Sequence, residues 1–491
     1  MNEDAAGSND DDALGYALCG LLGATAAAGL LTLLMTCAYR VGWPYPLEWM
    51  EGTSLQHALW LARGELPYAA PSAELIPYVY PPLAYLPPAL ASSLLGPSLP
   101  VARALSLACT LGTLTLLGVA SARLARSRIA GLFSAGLFAY GFGYGGAFLD
   151  LVRVDALFVL CIAAALERLS VRRNAAALGW LVASALTKQH GAVLLLAVSL
   201  ALLAHNRKAA VRSVGAAWLA FAAACGALQL ASGGWFARYT LEVPSQHGLE
   251  PHLLATFVLI DLIVYLPVLT ASSALALGRR ARALEPLDAL ALAAVAVSAL
   301  GRAHPGGDDN VRLPAFALLC VVGVAPLVTR ARQSTRPLVR IGLSFAACMQ
   351  AAVLWQPPSL HAPLRETASR FVALDRELAR CAAGGPAVAL DYGLFTTKPF
   401  IHTMALSDLR LGGASTLSTT GTSALLDALR GPRAPQALAV GERFAELQRV
   451  LDERYTLCAE LPAPRLPTGY QPGLRGANGE LRQQVYALRQ R

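Results

Sequence analysis

Four short stretches hold the residues whose types and spacing can do chemistry. "YPLEWMEG" at 45–52 places Glu48 and Glu51 three residues apart, among Trp49, Met50 and prolines. On a helix that spacing puts both carboxylates on one face. A carboxylate with apolar neighbours has a raised pKa, which suits a general base or a metal ligand. The plain alternative is a pair of interfacial acids that cap a helix or pair with Arg40 or Arg63. "FLDLVRVDALF" at 148–158 groups Asp150, Arg153 and Asp155. Arg153 either pairs locally with Asp150 or grips a phosphate with its planar fork. "LTKQHGAV" at 186–193 breaks a long apolar stretch with Lys188, Gln189 and His190. Such groups face a cavity or the protein interior, unless this is a short hairpin from which Lys188 snorkels. "GRAHPGGDDN" at 301–310 sets Arg302 and His304, which suit an anion, beside Asp308, Asp309 and Asn310, which suit a hydroxylated acceptor or a cation. Its glycines allow close backbone approach to a ligand, and an ordinary polar turn is the alternative.

The elements that must position these groups are membrane helices. The chain has 491 residues, of which 55% are hydrophobic and 14% charged, where a soluble domain carries about a quarter charged residues. Its net charge of +9 does not indicate nucleic acid, because the basic residues sit in short clusters between apolar runs. Apolar runs near 14–37, 101–120, 129–148, 154–168, 175–188, 190–205, 212–232, 253–276, 287–301, 313–329 and 338–356 predict about eleven transmembrane helices. The first run follows an acidic start and is too long for a signal-peptide core, so it reads as a retained span.

Short loops with Arg123, Arg126 and Arg128; Arg168, Arg172 and Arg173; Arg207, Lys208 and Arg212; Arg279, Arg280 and Arg282; and Arg330, Arg332, Arg336 and Arg340 are cytoplasmic by the positive-inside rule. Residues 1–13 are then a cytoplasmic acidic N-terminus, and 14–356 a transmembrane domain with a long first outer loop at 38–100. Residues 357–491 lie outside the cell (inner or plasma) membrane. The proline-rich stretch 78–96 reads as an interfacial helix rather than a span. With this siding, all four polar stretches share the outer face.

Cations for a phosphate and a carboxylate base at lipid level suit chemistry on a lipid-linked phosphate. The base would activate an acceptor hydroxyl for attack on a sugar carbon, and the cations would stabilise the departing phosphate.

In the order and siding of its motifs the chain resembles the GT-C superfamily of polytopic glycosyltransferases. The branch is that of the protein O-mannosyltransferases and lipid A aminoarabinose transferases. The matching features span about residues 14–356. They are the acid after helix 1 in "LEWMEG", the amphipathic "SLQHALWLARGELPY", the interfacial "YPPLAYL", the Arg of "VARALSL", "RVDALF", "TKQHG" and "GGDDN". The resemblance implies a polyprenyl-phosphate sugar donor used outside the cytoplasm, and an acceptor that is lipid, polysaccharide or protein. It also implies the first-loop acid as base, Glu48 ahead of Glu51, and Arg153, Lys188 and Arg302 as donor-phosphate contacts. That leaves Asp155, Gln189, His190, His304, Asp308, Asp309 and Asn310 to line the substrate site. The family's loop acid is commonly an aspartate or an adjacent acidic pair, so the choice between the two glutamates stays open. No cofactor is specified, and the acids are compatible with a divalent cation.

From about residue 359 apolar strand-like runs such as "GGPAVALDYGLFTTKPFIHTMALSDL" alternate with helical ones such as "TSALLDALRG". The pattern predicts a small extracytoplasmic α/β domain. Cys381 and Cys458 flank it and can form a disulfide in an oxidising compartment. The other seven cysteines lie in apolar runs. The rival reading is a transporter or flippase of a lipid-linked saccharide. It calls for inverted repeats and midplane charges, whereas here no repeat is evident and the polar groups gather at one face.

Overall fold

The apolar runs fold as helices, and small residues let those helices pack closely. The structure, a computed structural model, describes residues 3–72, 79–246, 248–281, 284–304, 307–391, 416–441, 443–469, 471, 473–475 and 480–489. Arg282, the Pro305–Gly306 part of the expected turn and the strand-like run 392–415 lie outside the described residues. Helix α1 (Glu3–Val41) carries the first run and has Arg40 in its last turn. The first loop holds α2 (Glu51–Ala62) and α3 (Leu86–Leu95). At ten residues α3 is about 15 Å long, half of the hydrocarbon thickness.

Ser98 caps α4 (Leu99–Ala125) by accepting a hydrogen bond from the Val101 amide, with proline in the first turn. There follow α5 (Arg128–Tyr140), α6 (Asp155–Ser170), α7 (Asn174–Thr187) and α8 (His190–Ala231). A β-carbon on Gly136 of α5 would lie 2.4 Å from the Ala26 Cα of α1, and one on Gly131 would lie 2.5 Å from the Gly118 carbonyl of α4. Only hydrogen fits at these two crossings, where backbones replace side chains as the packing surface.

Among the described residues, six helices are long and apolar enough to cross a membrane. A seventh crossing results if Pro251–Val264 and Pro267–Arg279, bent by 99° at their junction, act as one. That count omits shorter helices and takes α8 as one, so it stands beside the expected eleven without replacing it. Helices α5, α6 and α7, with 13, 16 and 14 residues, are shorter than the roughly 20 of a full apolar crossing and are not in that count. The runs 190–205 and 212–232 are joined in α8, which is interrupted at Asn206 (φ −154°, ψ 87°). Hydropathy registers apolar sequence but not where a helix bends or stops. The Asp309–Gln333 segment is the most buried of the candidate spans, with Leu313, Phe316, Cys320 and Val324 fully enclosed.

The C-terminal part is a small mixed sheet with helices. Strands β1 (Ala387–Ala389), β2 (Ala437–Val440), β3 (Tyr455–Pro462), β4 (Leu474–Arg475) and β5 (Leu481–Leu488) form a sheet of order β1-β2-β5-β3, with β4 paired to β5. β1 and β2 are parallel, and the other pairs are antiparallel. Cys381, at the end of helix Arg365–Ala382, is bridged to Cys458 on β3. The sheet does not hang free. Trp49, Met50 and Tyr68 of the first loop share one apolar cluster with Leu438, Val440 and Val485 of the sheet, and Tyr45 stacks on Phe371 at 4.9 Å between ring centres.

Candidate functional site

The two first-loop glutamates are both fully buried but differ in their bonding. Glu51 opens α2 and receives a two-point hydrogen bond from Arg103 of α4, at 2.8 Å from Nε and 2.6 Å from Nη2. The Leu47 and Val152 amides add bonds of 2.7 and 3.1 Å. Burial raises the Glu51 pKa, but Arg103 and these donors outweigh it and hold the carboxyl below its ordinary value. Arg103 also donates to the Trp43 and Tyr45 carbonyls. Glu51 is thus a structural clamp between the loop and α4.

Glu48 is held more loosely. Arg153 Nη1 lies 3.1 and 3.2 Å from its two oxygens, and the Met50 amide donates at 3.0 Å. Burial pushes the Glu48 carboxyl up to about 7, only partly offset by Arg153. A carboxyl at that value exchanges its proton near neutral pH, as a general base must. Neither acid pairs with Arg40 or Arg63. Arg40 instead grips Asp150 with two bonds of 2.7 and 3.0 Å, which leaves Arg153 to Glu48 rather than to Asp150.

A second group lies where α6, α7 and α8 begin or end. Lys188 Nζ is 2.9 Å from Asp155 Oδ1, and the Asn310 side-chain amide donates to the same oxygen at 3.1 Å. The Tyr80 and Phe158 rings flank the ammonium at 5.5 and 5.9 Å. Gln189 donates to the Val79 carbonyl at 3.1 Å, and His190 lines a small cavity with Lys188. Four buried polar atoms have no hydrogen-bond partner: Asp155 Oδ2, Gln189 Oε1, His190 Nδ1 and the Tyr85 hydroxyl. Unsatisfied groups are costly to bury, and these four have bonding capacity to offer a polar ligand.

The residues Asp308, Asp309 and Asn310 reach three different places. Asp308 accepts from the Asp309 amide at 2.7 Å and faces Gly469, at which a β-carbon would lie 3.4 Å from Asp308 and 3.2 Å from Glu48. Asn310 reaches Asp155. Asp309 joins a separate cluster, 2.6 Å from Arg312 and 3.5 Å from Arg302, and both arginines also bind Asp261 at 2.8 and 3.1 Å. Arg302 is therefore spent on Asp261 and Asp309 and is not joined to Arg153 or Lys188. His304 lies near His190, at the turn after helix Pro286–Ala303.

Asp261 and Arg312 were not singled out from the sequence as site candidates. Asp261 carried a readable signal, as the lone acid in the apolar run "FVLIDLIV". Among the described residues no three His, Cys, Asp or Glu side chains converge as a metal site.

The C-terminal part closes the arrangement. The Thr468 amide donates to the Leu47 carbonyl at 3.2 Å, next to Glu48, while Arg40 donates to the Thr468 hydroxyl at 3.2 Å and the His361 carbonyl at 2.8 Å. Gly469 has φ +71°, a left-handed conformation that glycine adopts without strain. A cavity of about 30 Å³ bounded by Ser54, Tyr85, Val152 and Arg153 lies beside the Arg153 guanidinium, and one of about 10 Å³ lies beside Lys188. Each has room for about one water.

No family model and no curated protein sequence matches the chain. Solved structures do. The crystal structure of ArnT from Cupriavidus metallidurans bound to undecaprenyl phosphate matches with a TM-score of 0.54 at 14% identity, over 95% of this chain and 98% of that one. The apo state of the same protein matches with a TM-score of 0.51 at 15% identity, over 89% and 93%. The chain therefore has the ArnT fold over nearly its whole length, and the resemblance drawn from the sequence holds at the level of fold.

Proposed function

We propose that the chain is a membrane glycosyltransferase that moves a sugar from a polyprenyl-phosphate donor to an acceptor hydroxyl, with Glu48 as the general base. The observation that carries the reading is the buried Glu48 carboxyl, poised at about 7 and touching Arg153, within a fold shared with a protein whose crystal structure contains undecaprenyl phosphate. Glu51 is set aside as base because both its oxygens are engaged by Arg103.

In the proposed reaction the Glu48 carboxylate takes the acceptor hydroxyl proton as the oxygen attacks the anomeric carbon. The bond from that carbon to the donor phosphate oxygen breaks, and the phosphate leaves as an anion. Arg153 and Lys188 supply the positive charge that holds it. The unsatisfied atoms of Tyr85, Gln189 and His190 offer hydrogen-bond partners to the sugar or phosphate. Arg302 takes a supporting part, because its charge is shared between Asp261 and Asp309. The proposed siding puts the N-terminus in the cytoplasm, and Glu48, Lys188 and the bridged C-terminal part outside, in keeping with a disulfide.

Purified protein given a radiolabelled polyprenyl-phosphate sugar and candidate acceptors tests this directly. Transfer by the native chain that is lost in Glu48→Gln is expected. Equal transfer by both would remove Glu48 from the mechanism, and transport of the donor without cleavage would replace the enzyme reading with a transporter.

A further inference from the structure

A large crevice among the described residues lies away from the carboxylates. It measures about 640 Å³ and sits between helix Pro267–Arg279, the second half of Asp309–Gln333, the start of Pro286–Ala303 and helix Pro337–Leu354. Helix Pro286–Ala303 runs from this crevice, at Leu287, to Arg302 at the other end. Its 18 residues separate the two places by about 27 Å. Residues 309–333 run the same course in reverse, from Asp309 to Arg330.

The lining has two parts. Leu275, Leu327 and Leu343 make an apolar wall, and Arg279, Arg280 and Arg330 stand at its rim. Arg280 is already committed to the buried carboxylate of Asp288 at 2.8 Å. Among the described residues, no ion pair or side-chain hydrogen bond engages Arg279 or Arg330. Glu285, just before helix Pro286–Ala303, faces Arg172 at 3.7 Å. Two unspent guanidinium groups beside an apolar slot, at the end of membrane-spanning helices, form a surface complementary to one kind of molecule: an anionic head on an apolar chain. Basic pockets between transmembrane helices bind anionic lipid head groups for this reason.

We propose that this crevice binds an anionic phospholipid, with its phosphate between Arg279 and Arg330 and an acyl chain along Leu275, Leu327 and Leu343. The site is separate from the one proposed for the sugar donor and does not depend on the transferase reading. Its role is to fill the gap left between these helices beside their direct contacts, such as that of Ser272 with the Gly323 carbonyl.

Native mass spectrometry of the detergent-purified full chain, titrated with phosphatidylglycerol and with phosphatidylcholine, tests it. Phosphatidylglycerol should be retained in preference. Arg279→Gln/Arg330→Gln should weaken its retention about thirtyfold, roughly fivefold for each guanidinium removed. Arg207→Gln/Lys208→Gln, in another basic loop, and Arg153→Gln, at the carboxylate cluster, should leave it unchanged. Ala271→Trp fills the crevice while keeping both charges and should weaken both lipids, which guards against a folding defect in the arginine variant. Inorganic phosphate should not displace the lipid. Equal retention of the two lipids, an unchanged affinity in Arg279→Gln/Arg330→Gln, or the same loss in Arg207→Gln/Lys208→Gln would overturn the proposal.

Discussion

Asn310 donates its side-chain amide to Asp155 at 3.1 Å across 155 residues of sequence. That bond ties the late loop to the start of α6 and fixes which face Asp155 turns toward Lys188. Through its neighbour Asp308 the same loop touches the turn at Gly469, and through Asp309 it reaches Arg302 and Arg312. Three adjacent side chains thus set the spacing between the Glu48 group, the Lys188 group and the Arg302 group.

Glu48→Gln and Glu51→Gln should separate activity from stability. The first removes a base, and transfer should fall about 10²–10⁴-fold. The second leaves Arg103 buried without its partner, and thermal shift should report a loss of about 3–5 kcal/mol. A large stability loss in Glu48→Gln with full transfer in Glu51→Gln would reverse the two assignments.

Activity should rise with pH through about 7, because only the ionised Glu48 accepts a proton. Stability should move the other way. The folded carboxyl binds its proton up to about 7 against an ordinary value of 4.5, so the native state holds more protons within that window. The native protein therefore loses stability relative to Glu48→Gln as pH rises from 4.5 to 7. Parallel melting curves of the two proteins across this range check the sign.

Asn310→Ala should lower donor affinity more than turnover, since it loosens Asp155 and with it Lys188. A hydrogen bond to a charged group contributes about 1.5–3 kcal/mol, which corresponds to roughly a tenfold to hundredfold rise in donor KM. An unchanged KM with reduced kcat would place Asn310 at the reacting centre instead.

Gly469→Val should impair transfer while the sheet stays folded. Any β-carbon there meets the Glu48 side chain at 3.2 Å, and the backbone has φ +71°. Circular dichroism unchanged beside reduced transfer is the expected pair of results.

Cys381→Ala/Cys458→Ala should destabilise the C-terminal part by about 2–4 kcal/mol, as expected for a bridge between residues 77 apart. Limited proteolysis should then cut within 365–462 sooner than in the native protein.

Much of the helical framework was legible because apolar runs need only length and composition to be recognised. The glutamates, Arg153, Lys188 and the 308–310 loop stood out because polar groups inside apolar sequence are costly unless used. Their partners were not legible. Glu51 binds Arg103 across 52 residues and Arg40 binds Asp150 across 110, and no local spacing encodes such pairs. Arg302 read as a phosphate contact because its counter-ion Asp261 lies on a different helix. The bend after Val264 and the shortness of α5, α6 and α7 were not legible, because neither leaves a mark in hydropathy. Gly469 gave no signal at all, since one glycine in a proline-rich loop has many explanations.

Thr468 hydrogen-bonds Arg40 and the Leu47 backbone, so the first helix is finished by a segment synthesised 428 residues later. A nascent chain can insert most of its helices long before residue 468 exists. Until then Arg40 lacks that partner and the turn next to Glu48 is uncovered. Assembly is consequently gated by synthesis of residue 468, and a chain cut short before it would sit in the bilayer with its carboxylate pocket unsealed.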